Sequence, residues 1–404
     1  MRATRRVALA VICGLAVWAG ALPVRAQLPP SNAADALFNN QVLQEIRLLV
    51  NSRDLAQLRA SFQTNLFVTA DLVWNNQRVR SVAIRSRGQG SRNPTKMGLL
   101  VDMDRFTRGQ TFLGLTELVL DNEWQDPSLM HEMLSFAVYR RVGQIAPREA
   151  FAKVYINNEY QGVYAVVEPI NEPFLQRVFG SAEGYLSEYH WIRTWYFETI
   201  GDDLNLYKPM FEPRTHTLES DTQLYGPIRD LVNEVNGPDD VVWRDRVSAR
   251  LDLAQFMQYA ALQGCLTQND GLVGFAGMNN FYLYRPNGST KFRFLPWDED
   301  FAFTFLEAPI ARHTIPDNVL FPRAYAQDDL RGVFLDAAQG CADAMSNDWM
   351  LNEVNRLTAL IGSAVFSDTK KLYSNDQFLA EVDFLRQFAV ARPLTVASEV
   401  ARLR

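Results

Sequence analysis

The 404-residue chain has three cysteines and four histidines, and outside Val7–Leu22 it has no apolar run of membrane length. So little cysteine excludes a disulfide-dense scaffold. Cys265 and Cys341 have no His or Cys neighbours, which excludes an ordinary zinc site. There is no G-x-S-x-G elbow, no H-E-x-x-H helix and no Walker lysine motif, so the common serine hydrolase, zincin and P-loop classes are excluded. His131, His190, His216 and His313 stand far apart in unrelated contexts and read as structural or exposed. Neither an internal repeat nor a low-complexity tract is present, and 48% hydrophobic and 12% aromatic residues are too many for a disordered chain.

The N-terminus carries a leader pattern. Arg2, Arg5 and Arg6 precede the apolar Val7–Leu22, and Val24-Arg25-Ala26 is a small-x-small cleavage site, which predicts a signal peptide over 1–26 and an exported protein, periplasmic or extracellular. Thr4-Arg5-Arg6 suits either the general or the twin-arginine route. After cleavage 36 basic residues face 46 acidic ones, a net charge of −10. That balance opposes a nucleic-acid or anionic-membrane partner held by bulk charge, and no stable membrane span is expected once the leader is gone. In an oxidising compartment Cys265 and Cys341 are able to pair.

Residues 27–40, with Pro29, Pro30, Ser31 and Asn32, read as a linker, with order expected near Asn40 and a helical period from Val42 to Leu58. Short β-rich runs follow, among them Leu66 to Ala70, Val79 to Arg85, Met97 to Met103 and Leu115 to Leu120, and Asn75-Asn76 marks a turn. Asp126-Pro127 predicts a helix start and Gly143 its end. A hairpin turning at Asn157-Asn158 leads to Glu168-Pro169. Beyond Asn171 helical patterns dominate, interrupted by an irregular aromatic stretch from Tyr185 to Phe211 and by a β pair, Asn280 to Tyr284 with Lys291 to Leu295. The class is α+β: a β-rich part over 41–170 and a mainly helical part over 171–404.

The residues that suit chemistry cluster in four places. Asp298 and Asp300 follow the second strand of that β pair and sit between Trp297 and Phe301, where a divalent cation with oxygen ligands would neutralise them. A solvated acidic turn is the plainer alternative. Asp270 opens a glycine-rich loop, Gly271 to Gly277, that delivers Asn279 and Asn280, a carboxylate-then-amide order suited to orienting a hydroxyl and a metal, or simply to a turn. Arg85, Arg87, Arg92 and Lys96 interleave with Gly88 and Gly90, which suits either a polyphosphate or an exposed basic hairpin. A buried Lys96 needs a carboxylate, with Glu132 expected to supply it, and Lys208 either reaches the cleft or lies on the surface. Trp191, Trp195 and Tyr196 suit stacking on a base as well as a core.

In order along the chain, Arg85-Ser86-Arg87-Gly88 with Lys96, Asp126-Pro127-Ser128-Leu129-Met130-His131-Glu132, Tyr155-Ile156-Asn157 through Gly162-Val163-Tyr164 to Glu168, Leu206-Tyr207-Lys208, Asn280 to Tyr284, and Pro296-Trp297-Asp298-Glu299-Asp300 resemble the CotH kinase family of spore-coat-type atypical protein kinases. The resemblance implies a bilobal kinase-like fold and transfer of phosphate from ATP, with Mg2+ or Mn2+, to a Ser or Thr of an exported or envelope protein. It further implies that Lys96 holds the phosphates and pairs with Glu132, that Glu168 lies at the hinge between lobes, and that Arg87, Lys208 and Trp297 contact the nucleotide. Asp270 would orient the acceptor hydroxyl, and Asn280, Asp298 and Asp300 would bind the metal. The chain departs from ordinary kinases in having no His-Arg-Asp triplet and no G-x-G-x-x-G loop. The alternatives are a non-catalytic binding or envelope-assembly module that keeps the fold, and a metal-dependent phosphoester hydrolase that would use the same carboxylates without a nucleotide.

Overall fold

The computed structural model describes residues 33–239, 241–275, 277–311 and 318–404. The expected leader, the first part of the expected linker, and His313 lie outside the described residues. From Ala34 the linker expectation fails, because Ala34, Leu37 and Phe38 are buried and Gln44 Nε2 donates to the Ala36 carbonyl at 3.1 Å. Three apolar residues at helical spacing are enough to dock a turn but too few to register as a period.

Strand β1 (Gln44–Val50) and helix α1 (Ser52–Ala60) replace the single helix expected over Val42 to Leu58. Gln44, Ile46, Leu48 and Val50 turn inward at the period of two that a strand requires, and the Asn51 side chain accepts from the Arg53 amide to start α1. Then come β2 (Val68–Trp74), β3 (Gln77–Ser86), β4 (Leu99–Asp102), β5 (Glu117–Asp121), α2 (His131–Arg141), β6 (Glu149–Ile156) and β7 (Glu159–Val167). The seven strands close a barrel in the order β1-β2-β3-β4-β5-β7-β6. β1 runs parallel to β6, with Gln44 opposite Ala152 and Leu48 opposite Ile156, and the other neighbours are antiparallel. Asn75-Asn76 and Asn157-Asn158 all take positive φ, between 47° and 68°, as two-residue hairpin turns require.

The rest of the chain is not simply helical. After α3 (Glu172–Phe179), the aromatic stretch expected to be irregular supplies β8 (Tyr185–Tyr189) and β9 (Phe211–Pro213). Helices α4 (Asp221–Leu224), α5 (Gly226–Val235), α6 (Trp243–Ser248) and α7 (Leu253–Cys265) lead to β10 (Phe281–Arg285) and β11 (Arg293–Pro296). These strands form a second sheet in the order β11-β10-β8-β9. Tyr189 stacks on Trp195 and Phe281, and Phe211 meets Trp195 edge-on, so Trp195 is core. Helices α8 (Leu320–Tyr325), α9 (Asp328–Met345), α10 (Trp349–Phe366) and α11 (Asn375–Leu403) complete the molecule, and Cys265 on α7 is disulfide-bonded to Cys341 on α9. No helix among the described residues is long and apolar enough to cross a membrane.

Candidate active site

A cleft of about 580 Å³ brings the loop after β3 face to face with the residues that follow α7 and β11. Arg85, Arg87 and Arg92 line one side; Asp270, Asn279, Asn280, Trp297 and Asp298 line the other. Residues far apart in sequence thus share one space.

Asp270 is held from behind and from the side. Gln268 accepts from the Asp270 amide at 3.0 Å and donates to the Asp298 carbonyl at 3.1 Å, so one amide side chain spans both acidic segments. Asp270 Oδ2 accepts from Asn279 Nδ2 at 3.0 Å and from Asn280 Nδ2 at 3.2 Å, which fixes the direction of Oδ1. Burial pushes the Asp270 carboxyl up and the two amides partly offset it. The glycine loop is a packing device: a Cβ on Gly271 would lie 2.2 Å from the Gln263 amide, and one on Gly274 2.7 Å from the Asn269 carbonyl.

The Asp298-Glu299-Asp300 run is not a solvated turn. Asp298 takes a left-handed φ of 52°, which Asp tolerates, and the chain then alternates its carboxylates. Glu299 turns into the core, where it accepts from the Tyr139 hydroxyl at 3.1 Å and burial pushes it up to about 8. Asp298 and Asp300 turn the other way and meet Glu132 from α2, with one oxygen of each within 4.8 Å of the others. Burial, then repulsion from Asp121, raises Asp298 to about 7 despite Arg87. Glu132 and Asp300 are raised strongly by burial and by their acidic neighbours. Behind them, Glu123 and Glu149 are buried, and among the described residues Oε2 of Glu123 and both carboxylate oxygens of Glu149 meet no hydrogen-bond donor. Three converging carboxylates with too little countercharge are a fitting oxygen set for a hard divalent cation such as Mg2+ or Mn2+.

Glu132 reaches this place because α2 starts later than expected. Its first residue is His131, and Asp126 folds the preceding loop around its carboxylate, which accepts from the amides of Ser128, Met130 and His131 at 2.6 to 2.7 Å. His131 is structural but close by: Nδ1 donates to the Asp300 carbonyl at 2.8 Å. Burial would lower this imidazole, but Asp126 and Glu381 hold it raised.

Several expected nucleotide contacts fall elsewhere. The Lys96–Glu132 ion pair does not form, because the fully buried Lys96 ammonium lies 2.9 Å from Asp368, in the loop between α10 and α11. Asp368 passes Gly162, whose φ of 121° and missing Cβ leave the space it fills. Arg87 is the cation that faces the cleft instead, paired with Asp121 and 5.6 Å from the Trp297 ring. Glu168 does not line the cleft; Arg148 at 2.6 Å and Arg177 at 2.5 Å saturate it. Lys208 sits at the surface with Asp221 at 2.6 Å. Glu188, His190 and Glu212 form a second close group in the cleft, but His190 is 2.8 Å from Glu212, and Arg214 lies 3.8 and 3.9 Å from the two carboxylates and supplies countercharge.

Gln268, Asp121 and Asp368 were missed from sequence. Asp121 ends a strand as Asp298 follows one, a signal that was available; Asp368 carries none, since its partner is brought to it only by folding.

A family model, CotH, described as CotH kinase protein, matches residues 84–396, and the chain belongs to that family. It is similar to the inner spore coat protein H of Bacillus subtilis (strain 168), 26% identical over 275 residues that cover 65% of this chain and 69% of that protein. A solved structure titled as the Helicobacter pylori proinflammatory kinase CtkA aligns with a TM-score of 0.30 and 11% identity, over 83% of this chain and 94% of that one.

Proposed function

We propose that the protein is a metal- and ATP-dependent phosphotransferase, a CotH-type protein Ser/Thr kinase whose acceptor is an exported or envelope protein. In this reading 41–170 and 171–404 act as the two lobes of an atypical kinase. The observation that carries it is the meeting of Asp270, Asn280 and Asp298 in one cleft opposite Arg87. Family membership supports the reaction class. The Cys265–Cys341 disulfide fits an oxidising compartment, and the leader pattern of 1–26 fits export.

The residue roles follow the geometry. Arg85, Arg87 and Arg92 receive the phosphates, Arg87 taking the part first given to Lys96, and Trp297 forms the wall beside it. Asp298, Asp300 and Glu132, with Asn280 adjacent, hold the divalent cation, which when bound neutralises charge on the transferring phosphoryl group. Asp270 Oδ1 accepts a hydrogen bond from the acceptor hydroxyl and takes its proton as transfer proceeds. Burial raises this carboxyl, which makes it a better proton acceptor than an ordinary aspartate.

The test is incubation of the purified chain with labelled ATP and Mg2+ or Mn2+, scored by autophosphorylation, alongside Asp270→Asn. Wild-type transfer that falls by orders of magnitude in Asp270→Asn, with nucleotide affinity kept, is the expected result. Transfer that survives the substitution places the base elsewhere. A second reading, a binding protein that does not transfer, is favoured by the burial of Lys96 on Asp368 away from the cleft. Its signature is nucleotide binding with no transfer by the wild type.

A further inference from the structure

Arg392, in the middle of α11, is fully buried, and its guanidinium binds four carbonyls from two different segments. Nε donates to Cys265 at 2.9 Å and Nη2 to Gly264 at 2.8 Å; Nη1 donates to Leu306 at 3.0 Å and Ala308 at 2.6 Å. The first two carbonyls belong to the C-terminal turn of α7, where the last backbone acceptors have no helical partner and a cation is favoured by the helix dipole. The other two follow the Asp298–Asp300 run.

Between Arg392 and the cleft the same two segments are joined rung by rung. The Phe303 amide donates to Leu266 at 2.6 Å, the Asn269 amide to Phe301 at 3.1 Å, and the Phe305 amide to the Thr267 hydroxyl at 3.2 Å. Gly264 lets the second segment lie directly on α7, since a Cβ there would be 2.0 Å from the Ile310 carbonyl. Glu399, also on α11, accepts from the Ile310 amide at 2.9 Å. One joined segment ends in Asp270 and the other begins at Asp298.

We propose that Arg392 is a positioning residue: by binding the carbonyls of both segments it sets the spacing between Asp270 and the Asp298–Asp300 pair, and so the approach of that pair to Glu132. Its consequence for transfer rests on the kinase reading, whereas its consequence for cation binding does not. Arg392→Lys keeps the charge but loses the planar fork that serves both segments.

The experiment compares the wild type with Arg392→Lys in the full chain by hydrogen exchange and by calorimetric titration with Mn2+, with Asp298→Ala as the reference for loss of the site. Exchange should rise about tenfold at 266–271 and 301–308 while β2 and β3 are unchanged. Mn2+ affinity should fall about tenfold, the usual effect of losing a residue that orients metal ligands. Transfer should fall in kcat with KM for ATP kept, because the phosphate wall lies on the loop after β3. Unchanged Mn2+ affinity, or exchange that rises equally throughout, overturns the proposal. Should Arg392→Lys not fold, the wild type alone decides: Mn2+ must slow exchange at 304–308 and at the Arg392 Nε–H, and no slowing there overturns it. A wild type that binds Mn2+ and shows this coupling but transfers nothing counts against the kinase reading alone.

Discussion

The two sides of the cleft handle their charge in opposite ways. On the basic side every arginine has its partners within the protein: Arg87 pairs with Asp121, Arg92 donates to the Gly88 and Thr64 carbonyls, and Arg85 donates to the Ser86 carbonyl. On the acidic side Asp298 lines the cleft and crowds together with the buried Glu132 and Asp300, with Glu123 and Glu149 behind them, and burial raises them all. A buried charge without compensation costs several kcal/mol unless it is neutralised by a proton or an ion. The basic side is therefore held in place mainly by neutral carbonyls and keeps positive charge for an anion, and the acidic side is built to be completed by a cation.

The sharpest way to break that contrast is Asp298→Ala. It should abolish Mg2+ or Mn2+ binding at the Glu132–Asp298–Asp300 group, measured by calorimetry, while far-UV circular dichroism stays unchanged; affinity equal to wild type would remove the group as a cation site. Next in size is Asp368→Asn, which leaves Lys96 charged and buried. A loss of about 3 to 5 kcal/mol in urea unfolding is expected, largely recovered when Lys96→Met and Asp368→Leu are combined. A loss under about 1 kcal/mol would mean the pair behaves as an exposed one.

Arg87→Lys tests the basic side. Lys keeps a charge but cannot grip Asp121 and lie beside Trp297 with the same planar group, so nucleotide affinity should fall about tenfold, in keeping with about 1.5 kcal/mol for one charged hydrogen bond. Equal affinity would move the phosphates away from Arg87. The smallest effect, taken per pH unit, concerns Glu149, which burial raises from an ordinary 4.5 to about 8. Between those values the folded protein binds more protons than the unfolded chain, so stability falls as pH rises, by on the order of 1 kcal/mol per pH unit. Glu149→Gln should make that decline shallower, by the share of one proton, in melting scans between pH 5 and 8. A decline of the same slope in the variant would assign it to other carboxylates.

Much of this was legible along the chain because the signals were local. The Asn-Asn turns, the β10–β11 pair and the Asp270, Asn280, Asp298 order depend on residues near one another and on their periods. Less legible was anything decided by a competition. Gln44 to Val50 alternates like a strand but also fits the helical spacing of Leu55 and Leu58, and only the pairing with β2 and β6 resolves it. The α2 start moved because Asp126 caps from further back than one residue, around a loop in which Leu129 takes a left-handed φ of 60°.

The sequence by itself determined the α+β composition and the family, because residue type and short spacing carry that information. Only the tertiary structure decided which charge meets which. Lys96 and Glu132 are nearer in sequence than Lys96 and Asp368, yet an ion pair is set by which side chains are buried together. Asp368 fills the space left at Gly162, and Glu132 is released to join Asp298 and Asp300. Arg392 shows the same limit: its four carbonyls come from two segments that share a place only once α7, the acidic run and α11 have packed.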